Sequence, residues 1–104
     1  MMGHRNMDRI MLAQPCLDLP AQTRYCLLLM GRLAHDEAPL YWGGVSWLQL
    51  NMGYSQGPSG RREVMRHLKR LERDGYITRT PKRRGHRVVY ELHLPGGYPP
   101  VDDG

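Results

Sequence analysis

Eleven cations and three acids stand between Ser59 and Arg87. The cations are Arg61, Arg62, Arg66, Lys69, Arg70, Arg73, Arg79, Lys82, Arg83, Arg84 and Arg87, and the acids are Glu63, Glu72 and Asp74. The rest of the 104-residue chain carries four cations against seven acids, so the net charge of +5 hides a polarised molecule. A short, strongly positive block beside an acidic remainder is the electrostatic footprint of a surface that holds a polyanion. Nine of the eleven are arginine. Its planar fork pairs with phosphate and guanine edges through two bonds, where lysine offers a point charge.

The spacing of these residues sorts them into two groups. Taken as a helix over residues 60–74, Val64, Leu68 and Leu71 fall within about sixty degrees of one another. Arg62, Arg66, Lys69 and Arg73 fall on the opposite side, within about another sixty degrees. One stripe is built to be buried and the other to meet solvent or ligand. The second group, Lys82, Arg83 and Arg84, lies in the run Pro81–His86, which reads as the tip of a hairpin, with Gly85 allowing the sharp turn.

Other chemistry finds no support in the residues. There is no glycine-rich loop leading from strand to helix, no Gly-x-Ser-x-Gly elbow and no His-Glu-x-x-His, so no enzyme is expected. Cys16, Cys26, His4 and His35 are too irregularly spaced for a structural zinc site, and no metal or other cofactor is expected. Two cysteines do not make a disulfide framework, and Cys26 reads as a small core residue. His67 and His86 lack the neighbouring Ser, Cys or carboxylate pattern of catalysis.

The elements that must position the cations follow from stop signals and periodicity. Residues 1–19 read as an N-terminal arm. Pro20 opens a helix over residues 21–38, with Thr23, Arg24 and Arg32 on its surface and Pro39 as its stop. Leu40–Gly44 is a brief strand or extended link. A second helix runs from Ser46, as its cap, to Met52, with Gly53 as its left-handed end. Residues 54–60 read as turn throughout. The basic helix follows, capped by Ser59 or Gly60 and ended by Gly75. Strands are expected at residues 76–80 and 87–94, the second alternating Val88, Tyr90, Leu92 and Leu94 inward against Arg87, Val89, Glu91 and His93. Trp42 and Trp47 are expected to brace the first two helices, with Tyr54 and Tyr76 structural. Residues 96–104 read as a flexible tail.

This order of helix, short strand, helix, turn, basic helix and basic hairpin resembles the winged helix-turn-helix family of DNA-binding domains. The residues that carry the resemblance are Trp47–Ser55 and Val64–Ile77, the latter a helix ending in Leu-x-x-Leu-x-x-x-Gly followed by a bulky pair. The resemblance covers residues 20–94. It implies an α+β domain over residues 20–95 with three helices and a C-terminal β-hairpin wing. It also implies that the third helix enters the major groove of duplex DNA. Arg61, Arg62 and Arg66 would then read bases, with Glu63 or His67 adding discrimination. Ser59, Lys69, Arg70 and Arg73 would hold phosphates, as would Thr23, Arg24 and Gln49 from the first two helices. Lys82, Arg83, Arg84 and Arg87 on the wing would clamp the backbone or enter the minor groove. One departure is the long stretch 54–60 between second and third helices, which the family usually spans with a few residues.

The function so implied is sequence-specific binding of double-stranded DNA by a small transcriptional regulator. The alternatives are a replication or partition factor on the same fold, or a winged-helix protein-interaction module. A homodimer covering two half-sites is expected, through the apolar arm (Ile10, Met11, Leu12, Leu17, Leu19) or the exposed side of the first helix. No small-molecule ligand and no membrane is expected as a partner. The longest apolar run, Cys26–Met30, is far too short to span a bilayer, and no secretory signal opens the chain, so the default location is cytoplasmic.

Overall fold

Apolar residues at helical spacing decide how the elements pack in the computed structural model, which describes residues 19–34 and 40–93. In chain order these form α1 (Ala21–Leu33), β1 (Leu40–Tyr41), α2 (Gly44–Met52), α3 (Pro58–Arg73), β2 (Ile77–Arg84) and β3 (Arg87–Leu92). The sheet is antiparallel with order β1-β3-β2. Among the described residues the protein is thus α+β, with three helices and a C-terminal hairpin, a layout compatible with a winged helix. The arm up to residue 18, the segment 35–39 with His35 and Pro39, Leu94 and the tail lie outside the described residues, as does Cys16.

The core lies between the helices and one face of the sheet. Cys26, Leu27 and Met30 of α1 meet Leu48 of α2, then Val64, Leu68 and Leu71 of α3. Tyr41, Ile77, Tyr90 and Leu92 close it from the sheet. Burial pushes the Cys26 thiol up to about 12, which leaves it inert at neutral pH. The expected stripe of Val64, Leu68 and Leu71 is therefore the inward face of α3.

Several boundaries differ from the sequence expectation, each for a local reason. Pro20 is the cap of α1, its carbonyl accepting the Arg24 amide at 2.9 Å. α1 ends at Leu33, short of residue 38, because Ala34 turns extended (ψ 146°) and is itself buried. α2 starts at Gly44, capped by Gly43, and Ser46 is already inside it. The Tyr41 hydroxyl donates to the Gly44 carbonyl at 2.6 Å and ties that start to β1.

The stretch 54–60 is not all turn. α3 begins at Pro58, a residue suited to a first helical position, with Gly57 and neither Ser59 nor Gly60 as cap. The connection from α2 is therefore residues 53–57, shorter than the stretch 54–60 expected from the sequence. Gly53 ends α2 in the left-handed region (φ 80°) while the Tyr54 amide returns to the Gln49 carbonyl at 2.9 Å.

The hairpin is longer on one side than expected. β2 runs through Arg84, so Lys82, Arg83 and Arg84 belong to a strand and only Gly85 and His86 form the turn. Pro81 lies inside β2 because the register shifts between Arg79 and Arg83. A bulge there asks no ladder amide of Pro81, and the Lys82 amide goes to the Thr80 hydroxyl at 3.2 Å. Val89, expected to point outward, is only 6% exposed.

Candidate nucleic-acid interface

α3 is a 16-residue helix, and its outward face is set by what it buries. Gly60, Val64, Leu68 and Leu71 face the core. At helical spacing Arg62, Arg66, Lys69, Arg70 and Arg73 then share an arc of about 100 degrees on the far side. All are exposed except Arg70, which is half-buried. Arg61 does not join Arg62 and Arg66. It points to the flank facing the hairpin, where it borders a cavity with Arg79 and Arg87.

Three cations of the basic face are held by neighbouring acids. Arg66 grips both oxygens of Glu63, at 3.0 and 3.1 Å. Asp74 takes Arg70 at 2.7 Å and Arg73 at 3.4 Å, and the Arg70 hydrogen bond holds its carboxyl below the usual range. Such exposed pairs are screened by solvent and hold weakly, so a phosphate can replace the carboxylate at little cost. Arg62 and Lys69 have no ion-pair partner among the described residues.

The hairpin supplies the second group. Lys82, Arg83, Arg84 and Arg87 are all exposed. Arg83 donates to the Lys82 carbonyl at 3.0 Å, which folds its guanidinium back along the strand. Arg84 lies 4.2 Å above the Trp42 ring. Trp42 follows β1 and, by the alternation of a strand, faces away from buried Tyr41. It is not part of the core cluster, contrary to the expectation that it braces the helices. Trp47 does pack on that cluster, its ring 6.2 Å from Tyr41.

No family model, curated protein or solved structure matches this chain.

The site therefore rests on its own geometry, and that geometry removes several expected contacts. Thr23 and Gln49 are each only 3% exposed and cannot present themselves to a phosphate. The Gln49 amide donates to the Ser55 carbonyl at 2.8 Å and to that of Gly57 at 3.3 Å, which pins the turn between α2 and α3. Ser59, exposed in the first turn of α3, meets the Ser55 hydroxyl at 3.3 Å. Gln49 was legible as a helix residue, but nothing in its neighbours marked it as the buried one.

His67 also leaves the basic face. Its Nδ1 is 3.0 Å from the Thr23 hydroxyl and its Nε2 is 2.9 Å from that of Tyr54. Tyr54 gives its one proton to Gln22, so Nε2–H must donate and Nδ1 must accept from Thr23. The neutral ring thus joins α1, the turn and α3. Burial, the largest cause, lowers the His67 pKa from its ordinary value near 6.5, with Arg66 adding to it and Glu63 opposing it.

A pH dependence follows from that direction. A base whose pKa is lowered by folding leaves the unfolded chain holding more protons as pH falls through the ordinary value. The urea midpoint is expected to fall between pH 7.5 and 5.5 and then to level off below the lowered pKa. His67→Gln keeps a donor and an acceptor but cannot titrate, and should flatten that fall. An equal fall in the variant would show that His67 is not its source.

Proposed function

We propose that this chain is a winged helix-turn-helix protein that binds duplex DNA in a sequence-dependent way, as a small regulator of transcription. The observation that carries the reading is the cationic outer face of α3, opposite its buried stripe, in a chain whose hairpin adds five more exposed cations. An α-helix fits the major groove, and arginine there bonds the O6 and N7 edge of guanine. Arg62 and Arg66 are the readers. Arg66 must exchange Glu63 for a base edge, so it reads only where a guanine repays the exchange.

Lys69, Arg70 and Arg73, with Ser59, hold phosphates beside the groove. Lys82, Arg83, Arg84 and Arg87 hold the backbone where the duplex passes the wing. Arg61, turned toward the wing, belongs to that second group more than to the readers. Trp42 acts through Arg84. By clamping the guanidinium it lowers the ordering cost of the wing on binding.

Selection of bound sites from a random duplex library tests the reading. A defined site is expected, two-fold symmetric if two copies bind together. Arg62→Ala should relax one position of it, costing roughly 1–3 kcal/mol against the matching base pair. An enriched pool no different from the input would contradict sequence-dependent reading. Trp42→Ala should weaken binding about threefold to tenfold for every sequence, in line with a cation–π contact of about 1 kcal/mol. Its urea midpoint should move far less than the roughly 3–5 kcal/mol loss of a core Trp would dictate. A core-sized loss would return Trp42 to the packing role.

A further inference from the structure

A cavity of about 290 Å³ opens between the start of α2, the wing-facing flank of α3 and the sheet. Its floor is apolar, formed in part by Leu48, Met65 and Val88. Its rim holds three cations from three elements: Arg61 of α3, Arg79 of β2 and Arg87 of β3. No acidic side chain stands among the described residues that line it. None of the three arginines has an ion-pair partner among the described residues.

The backbone at the same place adds to the positive charge. α2 begins on this rim with no side-chain cap and no acid in its first turn. A helix start carries unpaired amides and the positive end of the helix dipole, which favours anions and disfavours cations. Yet Arg87 is laid across it. A Cβ placed on Gly44 would stand 3.1 Å from its Cδ and 3.2 Å from its Nε. Gly44, at φ 83°, lets the guanidinium stem come that close. Three exposed guanidinium groups and a helix start thus border one opening with no acid beside them to neutralise the charge.

We propose that this cavity binds a small organic anion. Its phosphoryl or carboxylate head sits among Arg61, Arg79, Arg87 and the first amides of α2. Its compact apolar body lies on Leu48, Met65 and Val88. The volume is at the small end of ligand pockets, enough for a single-ring molecule. The apolar floor is what separates this ligand from a bare phosphate, which has nothing to place there. Because Arg87 is shared with the wing, an occupant also neutralises charge at the duplex-facing hairpin. The site does not depend on the duplex reading and can be tested apart from it.

The test is a titration of the full chain, labelled with nitrogen-15, with phenyl phosphate and separately with inorganic phosphate. Saturable shifts are expected at the amides of Gly44, Val45 and Val88. Phenyl phosphate should bind at least about tenfold more tightly than inorganic phosphate, since it alone buries a ring. Arg79→Ala should weaken phenyl phosphate about tenfold and leave the thermal midpoint unchanged. Equal affinity for the two probes, shifts centred on Arg62 and Lys69, or no saturation would each overturn the proposal. A duplex titration of Arg79→Ala separates the two sources of a phosphoryl group. If duplex affinity falls as far as phenyl phosphate affinity, the cavity seats a backbone phosphate and the organic-anion assignment fails.

Discussion

Replacing Lys69, Arg73, Arg83 and Arg84 together by alanine is expected to lower affinity for any duplex about a hundredfold or more at physiological salt. Each side chain is exposed and none lies in the core, so folding should be little affected. The loss arises because each phosphate contact releases a condensed counterion, and that release is the main drive for non-specific binding. Four lost contacts should flatten the log–log salt slope by about 3.6. The decrease should be uniform across sequences, because phosphate contacts position the protein without reading bases. Anisotropy titrations with two unrelated duplexes check both points. A loss confined to one sequence would mean that these four residues read bases. Retained affinity would move the interface off this face altogether.

The second large effect concerns stability and a residue without a side chain. Gly60 is buried in the first turn of α3, where a Cβ would stand 1.9 Å from the Ser55 carbonyl oxygen. That oxygen is fixed by the Gln49 amide at 2.8 Å, and the turn it belongs to cannot move aside without breaking that bond. Gly60→Ala would ordinarily favour a helix by about 1 kcal/mol. Here it must push α3 from the turn that sets its angle to α2, and a loss of about 3 kcal/mol is expected. Urea denaturation measures it. A neutral or stabilising result would show that the close contact between turn and helix is not maintained in solution. Gly57→Ala serves as the comparison, since a Cβ there meets nothing within 4 Å.

Gly60 also illustrates what the sequence could and could not convey. The inward stripe of α3 was legible because Val64, Leu68 and Leu71 repeat at the helical period, and periodicity survives without knowledge of partners. The cationic face followed by exclusion. The start of α3 was not legible, because Gly-Pro-Ser-Gly reads as turn when each residue is judged by its own preference. Pro58 fits a first helical turn, and Gly60 is there for the approach of Ser55, a contact that only the fold creates. The sequence alone ends the first strand of the hairpin at Thr80 for a similar reason. Pro81 argues against a strand until the bulge beside it removes the need for its amide.

Within the candidate site, charge was legible and partnership was not. Arg61 and Arg62 are adjacent in sequence, yet one flanks the cavity below the wing and the other faces outward. Thr23, Gln49 and His67 carry the residue types of a phosphate-contacting surface but are bonded inward. His67 is tied to α1 and the turn through two hydroxyls, a pairing across 44 residues for Thr23 that no local pattern announces. In the sequence Trp42 reads as a brace for the first two helices, the usual use of a large aromatic side chain. The cation that engages its ring, Arg84, is far along the chain and reaches it only when the sheet forms.

The most direct measurement is the affinity of the full chain for a random-sequence duplex of about 20 base pairs, taken from 50 to 200 mM salt. The seven cations proposed to hold phosphates, Lys69, Arg70, Arg73, Lys82, Arg83, Arg84 and Arg87, should give a slope of log affinity against log salt of about −6. If Arg70 and Arg73 stay on Asp74, five contacts remain and the slope is about −4.5, still consistent with the interface. A slope between zero and −1 would contradict it, because a basic helix and wing seated on DNA cannot bind without displacing counterions.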